Sequence, residues 1–210
     1  MIPYPKIETI LKRDEKTFKV IKGEWRTPEF KALVNIEWEF SEKLHGTNIR
    51  VSWDGSNVCF NGRTDRAQMH THLLTELQNK FTAELMESVF EETGCLYGEG
   101  IGAKIQKGGR RYGDTPRFVL LDVRVGELWL RQTSVCEIAS KCLIDVPAIV
   151  GKGDLNDAVN IMESGALRSR YGDFQPEGII VRPAVDLCDR RGNRIIGKLK
   201  YSDFQDHVAE

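Results

Sequence analysis

The sequence predicts an α+β fold in which mostly antiparallel sheets are flanked by helices. Apolar and polar residues alternate between Asn35 and Asn61, as they do in half-buried strands joined by tight turns. From Leu73 to Val89 apolar residues instead recur every four positions, which is typical of an amphipathic helix. Turns and strands alternate again from Gly178 to Lys200. Hairpins with helices grouped between them favour antiparallel sheets over a parallel α/β arrangement.

Several strands can be placed more closely. Ile36–Phe40 and Ile49–Trp53 each alternate apolar with polar residues, and Asp54-Gly55 is a turn signal before a third strand at Val58–Phe60. The segment Phe118–Val125 is a continuous apolar run, so we expect a buried strand.

Three helices are predicted, and residues that commonly cap helices suggest their boundaries. A strand near Leu96 is expected after the first helix, and a turn at Arg191–Asn193 before a last strand at Arg194–Lys200. The helix boundaries are Gly94 as the stop of the first helix, Ser134 and Glu137 as a capping box for the second, and Asp154 and Gly165 as the start and stop of the third.

The composition limits the kinds of protein this can be. Of 210 residues, 40% are hydrophobic and 29% are charged, as in ordinary globular domains. No linker rich in Pro, Gly or Ser divides the sequence, so we interpret residues 1–210 as a single domain. The formal net charge of −1 excludes a uniformly basic nucleic-acid binder, and any nucleic-acid contact must come from a local patch.

The cysteines and the N-terminus bear on location. Five scattered cysteines without a C-x-x-C pair argue against a disulfide scaffold and against a structural zinc site. No apolar run approaches the roughly 20 residues of a membrane helix, and the first residues lack the apolar core of a secretory signal. We therefore expect a cytoplasmic protein with reduced cysteines and no membrane contact.

Four short segments combine charged residues with glycine or with each other. They are Glu42–Asn48, Tyr97–Gly102, Pro176–Pro183 and Lys198–Lys200. Each segment has an ordinary structural explanation when taken alone, such as a polar hairpin connection, a glycine-rich strand end or an exposed edge strand protected by lysine. Two lysines two positions apart on a strand share one face, however, and their charges repel unless an anion binds there.

Taken in order, the segments resemble the covalent nucleotidyltransferases, which include ATP-dependent ligases and mRNA capping enzymes. The nearest resemblance is to the RNA ligase 2 family of phage end-joining enzymes, and it runs from about Trp38 to Phe204. The family motif E-K-x-H-G-T-N matches Glu42–Asn48 throughout. The other matching positions are Arg63-Thr64, Gly98-Glu99, Ile105–Lys107, Glu177–Pro183, Gly192–Arg194 and Lys198–Lys200, and the family's F-D pair corresponds to Leu121-Asp122.

This resemblance implies an ATP-dependent RNA ligase that works in three steps. Lys43 attacks the α-phosphorus of ATP, AMP moves to an RNA 5′-phosphate, and a 3′-hydroxyl displaces the AMP. Because a free lysine amine is almost fully protonated at pH 7, the nucleophile requires nearby cations or desolvation. The matching residues suggest Lys198, Lys200 and a divalent metal, either Mg²⁺ or Mn²⁺, for this purpose.

The resemblance also implies roles for individual residues. Lys43, Glu177, Lys198 and Lys200 are the expected catalytic residues, and the two strand lysines are expected to hold the α-phosphate. Glu177 is the expected metal ligand, and Glu99 contacts a ribose hydroxyl or helps to bind the metal. The expected nucleotide-binding set is Glu42, Lys43, Leu44, His45, Asn48, Arg63, Glu99, Leu121, Lys198 and Lys200.

Four members of this set have more specific expected contacts. Glu42 accepts from the adenine amino group, which favours ATP over GTP. Arg63 contacts the ribose or the acceptor strand. His45 and Asn48 order phosphate or metal-bound water, although a core histidine remains an alternative for His45.

Leu121 departs from the family pattern, which usually has an aromatic residue there to stack on adenine. Phe118 is three residues away and on a strand faces the other side, so it cannot simply substitute. We therefore expect weaker ATP binding, by about 0.5–1.5 kcal/mol.

The segment Gly102–Arg117 contains five basic residues and one acidic residue. Lys104, Lys107, Arg110 and Arg111 in this basic loop are the candidate RNA-phosphate contacts, and a solvated charged loop is the alternative. Expected partners are RNA, or DNA, with 5′-phosphate and 3′-hydroxyl ends. The competing interpretations are a DNA or mixed-strand ligase, an end-activating adenylyltransferase, and a non-catalytic nucleic-acid-binding relative.

The length adds one expectation. Family relatives usually continue into a C-terminal accessory domain that helps to hold nucleic acid, and the ten residues after Lys200 leave no room for one. We therefore expect sealing to be weak and salt-sensitive, or to need a protein partner that supplies grip on nucleic acid.

Overall fold

The computed structural model describes residues 2–205 and contains two compact units. The first unit comprises Met1–Pro5 and His45–Pro147, and the second comprises Lys6–Leu44 and Ala148–Glu210. Each unit has its own five-stranded sheet and its own apolar core. Most strand pairs are antiparallel, which confirms the predicted α+β class.

The strands are numbered in chain order. They are β1 (Glu8–Thr9), β2 (Leu11–Arg13), β3 (Val20–Trp25), β4 (Trp38–Lys43), β5 (Thr47–Trp53), β6 (Val58–Gly62), β7 (Gly94–Ile101), β8 (Arg117–Val125), β9 (Leu128–Trp129), β10 (Ile149–Gly153), β11 (Gly178–Pro183) and β12 (Gly197–Lys200). The helices are α1 (Pro28–Ala32), α2 (Thr71–Lys80), α3 (Ala83–Val89), α4 (Gln132–Lys141) and α5 (Leu155–Ser164). None of these described helices is long and apolar enough to cross a membrane.

The first unit is built on an antiparallel sheet with the strand order β6-β5-β7-β8-β9. Helices α2 and α4 pack against β8 and close the core on that side. The alternation expected for β5 is visible in its buried residues Ile49, Val51 and Trp53. Strand β8 is largely buried, as its continuous apolar sequence predicts.

The second unit has the strand order β1-β12-β11-β4-β10, and β2 and β3 form a separate hairpin. The short β1 runs parallel to β12, and the other pairs in this sheet are antiparallel. Trp38 and Phe40 of β4 are fully buried, in agreement with the alternation in the sequence. Helix α5 covers the sheet and contributes Leu155 and Met162 to the core.

The boundaries of α5 are those that the sequence predicts. The Asp154 carboxylate accepts hydrogen bonds from the backbone N–H groups of Asn156 and Asp157, at 2.7 and 2.9 Å. Asp157 in turn accepts from the Asp154 N–H, which completes a capping box. Gly165 ends the helix with a φ of 63°, a left-handed conformation that glycine adopts without strain.

The single helix predicted over Leu73–Val89 is wrong, because the chain forms two helices with a break at Thr82. The Thr82 hydroxyl caps α3 by accepting from the Leu85 N–H at 3.3 Å, which starts a new helix within the four-residue apolar spacing. Gly94 does not stop a helix either. It opens β7, where a Cβ would overlap the Phe90 ring.

The predicted capping box at Ser134 and Glu137 is also wrong. Helix α4 already begins at Gln132, and its N-cap residue, Arg131, makes no side-chain capping bond. The Leu130 N–H donates to the Val123 carbonyl at 2.9 Å, so the chain leaves the sheet and enters the helix directly.

The last strand is shorter than predicted. It begins at Gly197 rather than Arg194, because Arg194 and Ile195 pair with Cys188 and Leu187 across the turn and the pairing with β11 starts only at Gly197. The Asp189 carboxylate accepts from the N–H groups of Arg191 and Asn193, and Gly192 has a φ of 80°.

Candidate active site

One end of each of three neighbouring strands in the second unit lies in the same row. Lys43, the last residue of β4, lies opposite Gly178 of β11, and Gly178 lies opposite Lys200 of β12. A Cβ at Gly178 would overlap the Leu199 carbonyl oxygen and approach the Lys200 Cα to 2.8 Å. The strands therefore come this close only because residue 178 is glycine.

The Glu177 carboxylate lies between two ammonium groups at the end of this row. One of its oxygens is 2.6 Å from the Lys43 Nζ, and the other is 2.6 Å from the Lys200 Nζ. Burial alone raises the pKa of Glu177, but the two lysine charges outweigh this effect and hold the pKa below its ordinary value. The site therefore keeps a carboxylate ionised in a half-buried place.

Lys198 lies on the same face of β12 as Lys200, since the two residues are separated by the fully buried Leu199. Burial, together with the charges of Lys200 and Lys43, lowers the pKa of Lys198. Lys43 and Lys200 thus contact one carboxylate in the second unit, and the charge of Lys198 interacts with the same carboxylate. An excess of cations in a half-buried place is suited to an anion such as a phosphate group.

Glu42, the neighbour of Lys43, is almost completely buried, with 1% of its surface exposed. Its two carboxylate oxygens accept hydrogen bonds from the Ser169 hydroxyl at 2.6 Å and from the Arg170 N–H at 3.0 Å. Glu42 therefore fastens the segment around Ser169 to β4. Leu44, the other neighbour of Lys43, is also buried, with 4% exposed.

In the first unit, the turn between Lys43 and β5 is held by two hydrogen bonds. The His45 N–H donates to the Tyr112 hydroxyl at 3.2 Å, and the Gly46 N–H donates to the Glu99 carboxylate at 3.1 Å. A Cβ at Gly46 would overlap the Gly100 carbonyl oxygen. The His45 side chain is exposed, which excludes the alternative of a core histidine.

Asn48 has a buried amide oxygen that could accept a hydrogen bond from a ligand. Its amide nitrogen donates to the Gly98 carbonyl at 3.3 Å, while its buried Oδ1 has no hydrogen-bond partner among residues 2–205. Buried polar atoms are normally paired. A ligand with a hydrogen-bond donor, or an ordered water, would satisfy this atom.

Leu121 occupies a bulge in β8. Tyr97 pairs with Asp122 and Gly98 pairs with Leu120, so Leu121 has no residue opposite it. Bulges re-aim side chains and are frequent beside active sites, and Leu121 is the most exposed residue in the middle of an otherwise buried strand. Phe118 is buried against Phe81, with ring centroids 5.2 Å apart, so it cannot replace the missing aromatic residue.

The remaining predicted residues of the first unit lie on its surface. Arg63 is exposed in the segment after β6. The four candidate RNA-binding side chains are also exposed: Lys104, Lys107, Arg110 and Arg111. Their loop is folded rather than open, because it contains a short 3₁₀ helix, Gly109–Tyr112, and is anchored by the buried residues Ile105 and Tyr112.

Two residues outside the recognised motifs, Arg13 and Asp203, support β12, the strand that carries Lys198 and Lys200. The Asp203 side chain, 4% exposed, accepts from the Arg13 guanidinium at 2.6 Å and from the Lys200 N–H at 3.3 Å. The same guanidinium donates to the Phe18 carbonyl at 2.7 Å. No local sequence signal marks this contact, because Arg13 and Asp203 are 190 positions apart.

No group of three or more His, Cys, Asp or Glu side chains able to hold a metal ion occurs among the described residues. A single carboxylate is nevertheless a common protein contribution to a Mg²⁺ site, which fills its other positions with phosphate oxygens and water. Glu177 fits that description.

One known protein family matches most of this sequence. The family model described as RNA ligase matches residues 36–200. The chain belongs to the RNA ligase family. The match includes β4, β11 and β12, with Lys43, Glu177 and both strand lysines. No curated protein matches the sequence.

Solved RNA ligases from Naegleria gruberi have the same fold. A lysine-to-alanine variant with ATP and Mn superposes with a TM-score of 0.67 at 16% identity, over 96% of this chain and 62% of that one. A lysine-to-methionine variant with AMP and Mn gives 0.65 at 16% identity, over 97% and 62%. An apo aspartate-to-alanine variant gives 0.66 at 17% identity, over 97% and 63%. This chain thus spans less than two thirds of the length of those enzymes.

Proposed function

We propose that this chain is an ATP-dependent RNA ligase that works through a covalent lysyl-AMP intermediate. The observation that carries the proposal is the pair of 2.6 Å contacts from Glu177 to Lys43 and Lys200, in a member of the RNA ligase family. The ATP, AMP and Mn named with the Naegleria gruberi structures support nucleotide and divalent-metal use.

The proposed chemistry consists of three displacements at phosphorus. The Lys43 amine forms a bond to the α-phosphorus of ATP, and the bond to pyrophosphate breaks. An oxygen of an RNA 5′-phosphate then attacks the same phosphorus, and the lysine amine leaves. Finally, a 3′-hydroxyl attacks the activated RNA phosphate, AMP leaves, and the hydroxyl proton passes to solvent.

The ion pair between Lys43 and Glu177 defines the resting state for this reaction. An ammonium group has no lone pair with which to attack phosphorus, so Lys43 must leave Glu177 and lose a proton first. Lys198 and Lys200 would hold the α-phosphate and neutralise the charge that builds up there, which is the main contribution proteins make to such transfers.

Glu177 is the residue that would hold a divalent metal. When bound, it would neutralise phosphate charge during the displacement. In the first unit, Glu99, Arg63, His45, Asn48 and Leu121 remain candidate nucleotide-binding residues. The basic loop remains the candidate contact for RNA phosphates.

The experiment that tests the enzyme class is transfer of radiolabel from [α-³²P]ATP to the protein. Wild type should be labelled in the presence of Mg²⁺ or Mn²⁺, and Lys43→Ala should not. Lys152→Ala is a matched control, because Lys152 also pairs with a glutamate, Glu39, at 2.7 Å in the same sheet. If wild type stays unlabelled, or if Lys43→Ala is labelled like wild type, the proposal is wrong.

The substrate class is tested by following AMP transfer and sealing on 5′-phosphorylated RNA and DNA, each as a single strand and as a nick in a duplex. An RNA ligase should prefer an RNA strand. Accumulation of activated RNA without sealing would identify an end-activating adenylyltransferase, and a preference for DNA would identify a DNA ligase.

A further inference from the structure

Arg50 is a buried arginine that no recognised motif includes. It lies in the middle of β5 in the first unit, and only 1% of its surface is exposed. Arginine is almost never buried without partners, because removing its charge from water is costly. The position therefore calls for an explanation in terms of what the guanidinium holds.

The guanidinium holds the segment that follows β6. Its Nε donates to the Gly62 carbonyl at 2.9 Å, and a terminal nitrogen lies 2.5 Å from the Asp65 carboxylate. These two acceptors flank Arg63 and Thr64 on both sides. A backbone hydrogen bond from the Ala67 N–H to the Thr64 carbonyl, at 3.1 Å, closes the turn behind them.

The two contacts come from a rigid donor to a segment that is otherwise exposed. Arg50 is fixed by the strands around it, since β5 lies between β6 and β7. Residues 63–68 are all exposed, and the Asp65 side chain itself is 80% exposed. Arg50 therefore connects the core of the sheet to a surface turn that has few packing contacts of its own.

We infer that Arg50 and Asp65 are positioning residues that hold Arg63 in place for binding the nucleotide or the acceptor RNA. This inference rests on the proposed ligase function and extends it to two residues that act through a third. A purely structural role for the ion pair, as a staple between β5 and β6, is the competing explanation.

Asp65 allows a test that leaves the fold intact, because its side chain is exposed whereas Arg50 is in the core. Asp65→Ala should slow whichever step Arg63→Ala slows, lysyl-AMP formation or AMP transfer to a 5′-phosphorylated RNA, by about 10-fold, as expected for a lost charge-assisted hydrogen bond. Asp65→Asn keeps an acceptor and should recover part of that rate. Asp173→Ala is the matched control, since Asp173 is 96% exposed and pairs with the exposed Arg168.

A double-mutant cycle separates positioning from stapling. If Asp65 acts through Arg63, Asp65→Ala should have no further effect on the rate in an Arg63→Ala background. If the ion pair is only a structural staple, the two effects should multiply, and the inference is wrong. An Arg63→Ala protein with wild-type rates in both steps would also overturn it.

The two possible failures can be told apart. If wild type forms no lysyl-AMP, the proposed function fails, and this inference fails with it. If wild type is adenylylated normally but the cycle shows independent effects, only the role of Arg50 and Asp65 is rejected.

Discussion

Glu177 has two ammonium groups within 2.6 Å, so its ionisation is linked to the stability of the fold. Its pKa lies below the ordinary value of 4.5, since the lysine charges outweigh burial. A carboxyl group whose pKa is lower in the folded than in the unfolded chain stabilises the fold above the unfolded value. That contribution disappears as the pH falls through the folded value.

We therefore expect Glu177→Gln to lower the free energy of unfolding at neutral pH, and the difference from wild type to shrink below about pH 4.5. Denaturant unfolding between pH 3 and 7 measures this difference. Glu92→Gln removes an exposed carboxylate and should leave the pH profile close to that of wild type. If the difference instead grew as the solution was acidified, the lowered pKa of Glu177 would be contradicted.

Leu121 gives a second prediction at the scale of the residue. Leu121 is half-buried at a bulge in β8, and it is the proposed contact for the adenine base. Leu121→Phe should lower the KM for ATP in lysyl-AMP formation by about 2- to 10-fold, the worth of an aromatic pair. An unchanged or raised KM would show that residue 121 does not contact the base.

At the scale of the element, the sequence identifies strands better than helix boundaries. Strands β4, β5 and β8 follow from alternation and apolar runs because one or both faces of each strand are buried. The break at Thr82 could not be predicted from spacing, since the apolar residues of α2 and α3 keep the same period on both sides of it. The start of α4 depends on a backbone bond to β8, which is a tertiary contact.

The contacts of the candidate site also differ in how well the sequence predicts them. Lys43, Glu177, Lys198 and Lys200 are predictable because each lies in a short local motif. The contacts of Glu42 with Ser169 and of Arg13 with Asp203 are not, since these partners are 127 and 190 positions apart along the chain. Tertiary hydrogen bonds of this kind leave no local pattern in the sequence.

A substitution at Gly178 tests how closely the strands must pack. Gly178→Ala should force β11 and β12 apart, because the new methyl group would overlap backbone atoms of Leu199 and Lys200. We expect a loss of about 1–3 kcal/mol in the free energy of unfolding and a slower rate of lysyl-AMP formation. Both are measured on the same preparation, by denaturant unfolding and by label transfer.

Gly151→Ala is the control for this change. Residue 151 is in the same sheet, but a Cβ there would meet only side-chain atoms, the nearest at 3.1 Å. This variant should retain more stability and more activity than Gly178→Ala. Equal losses in both variants would mean that the close approach of the strand backbones at Gly178 is unimportant.

For the molecule as a whole, we expect charge to govern binding to RNA. The chain has a formal net charge of −1, but the basic loop has five basic residues and one acidic residue. We expect binding to RNA to be weak and steeply dependent on salt. A plot of the logarithm of the affinity against the logarithm of the salt concentration should have a slope of about −0.7 per phosphate contact for a single strand.

The loop variant Lys107→Ala/Arg111→Ala should reduce that slope by about 1.4, measured by fluorescence anisotropy across a salt series. Lys12→Ala/Lys22→Ala removes two lysines that are paired with Glu24 and Glu163, and should change the slope little. Equal effects of the two variants would indicate that total charge, rather than the loop, determines RNA binding.

We propose that Lys43 becomes covalently adenylylated, and the ligase function depends on this step. The most direct measurement is peptide mass spectrometry of the protein after incubation with ATP and Mg²⁺. We expect one AMP per chain, attached to the peptide that contains Lys43. AMP on a different lysine, or the absence of any adduct on wild-type protein that is folded and binds ATP, would contradict the claim.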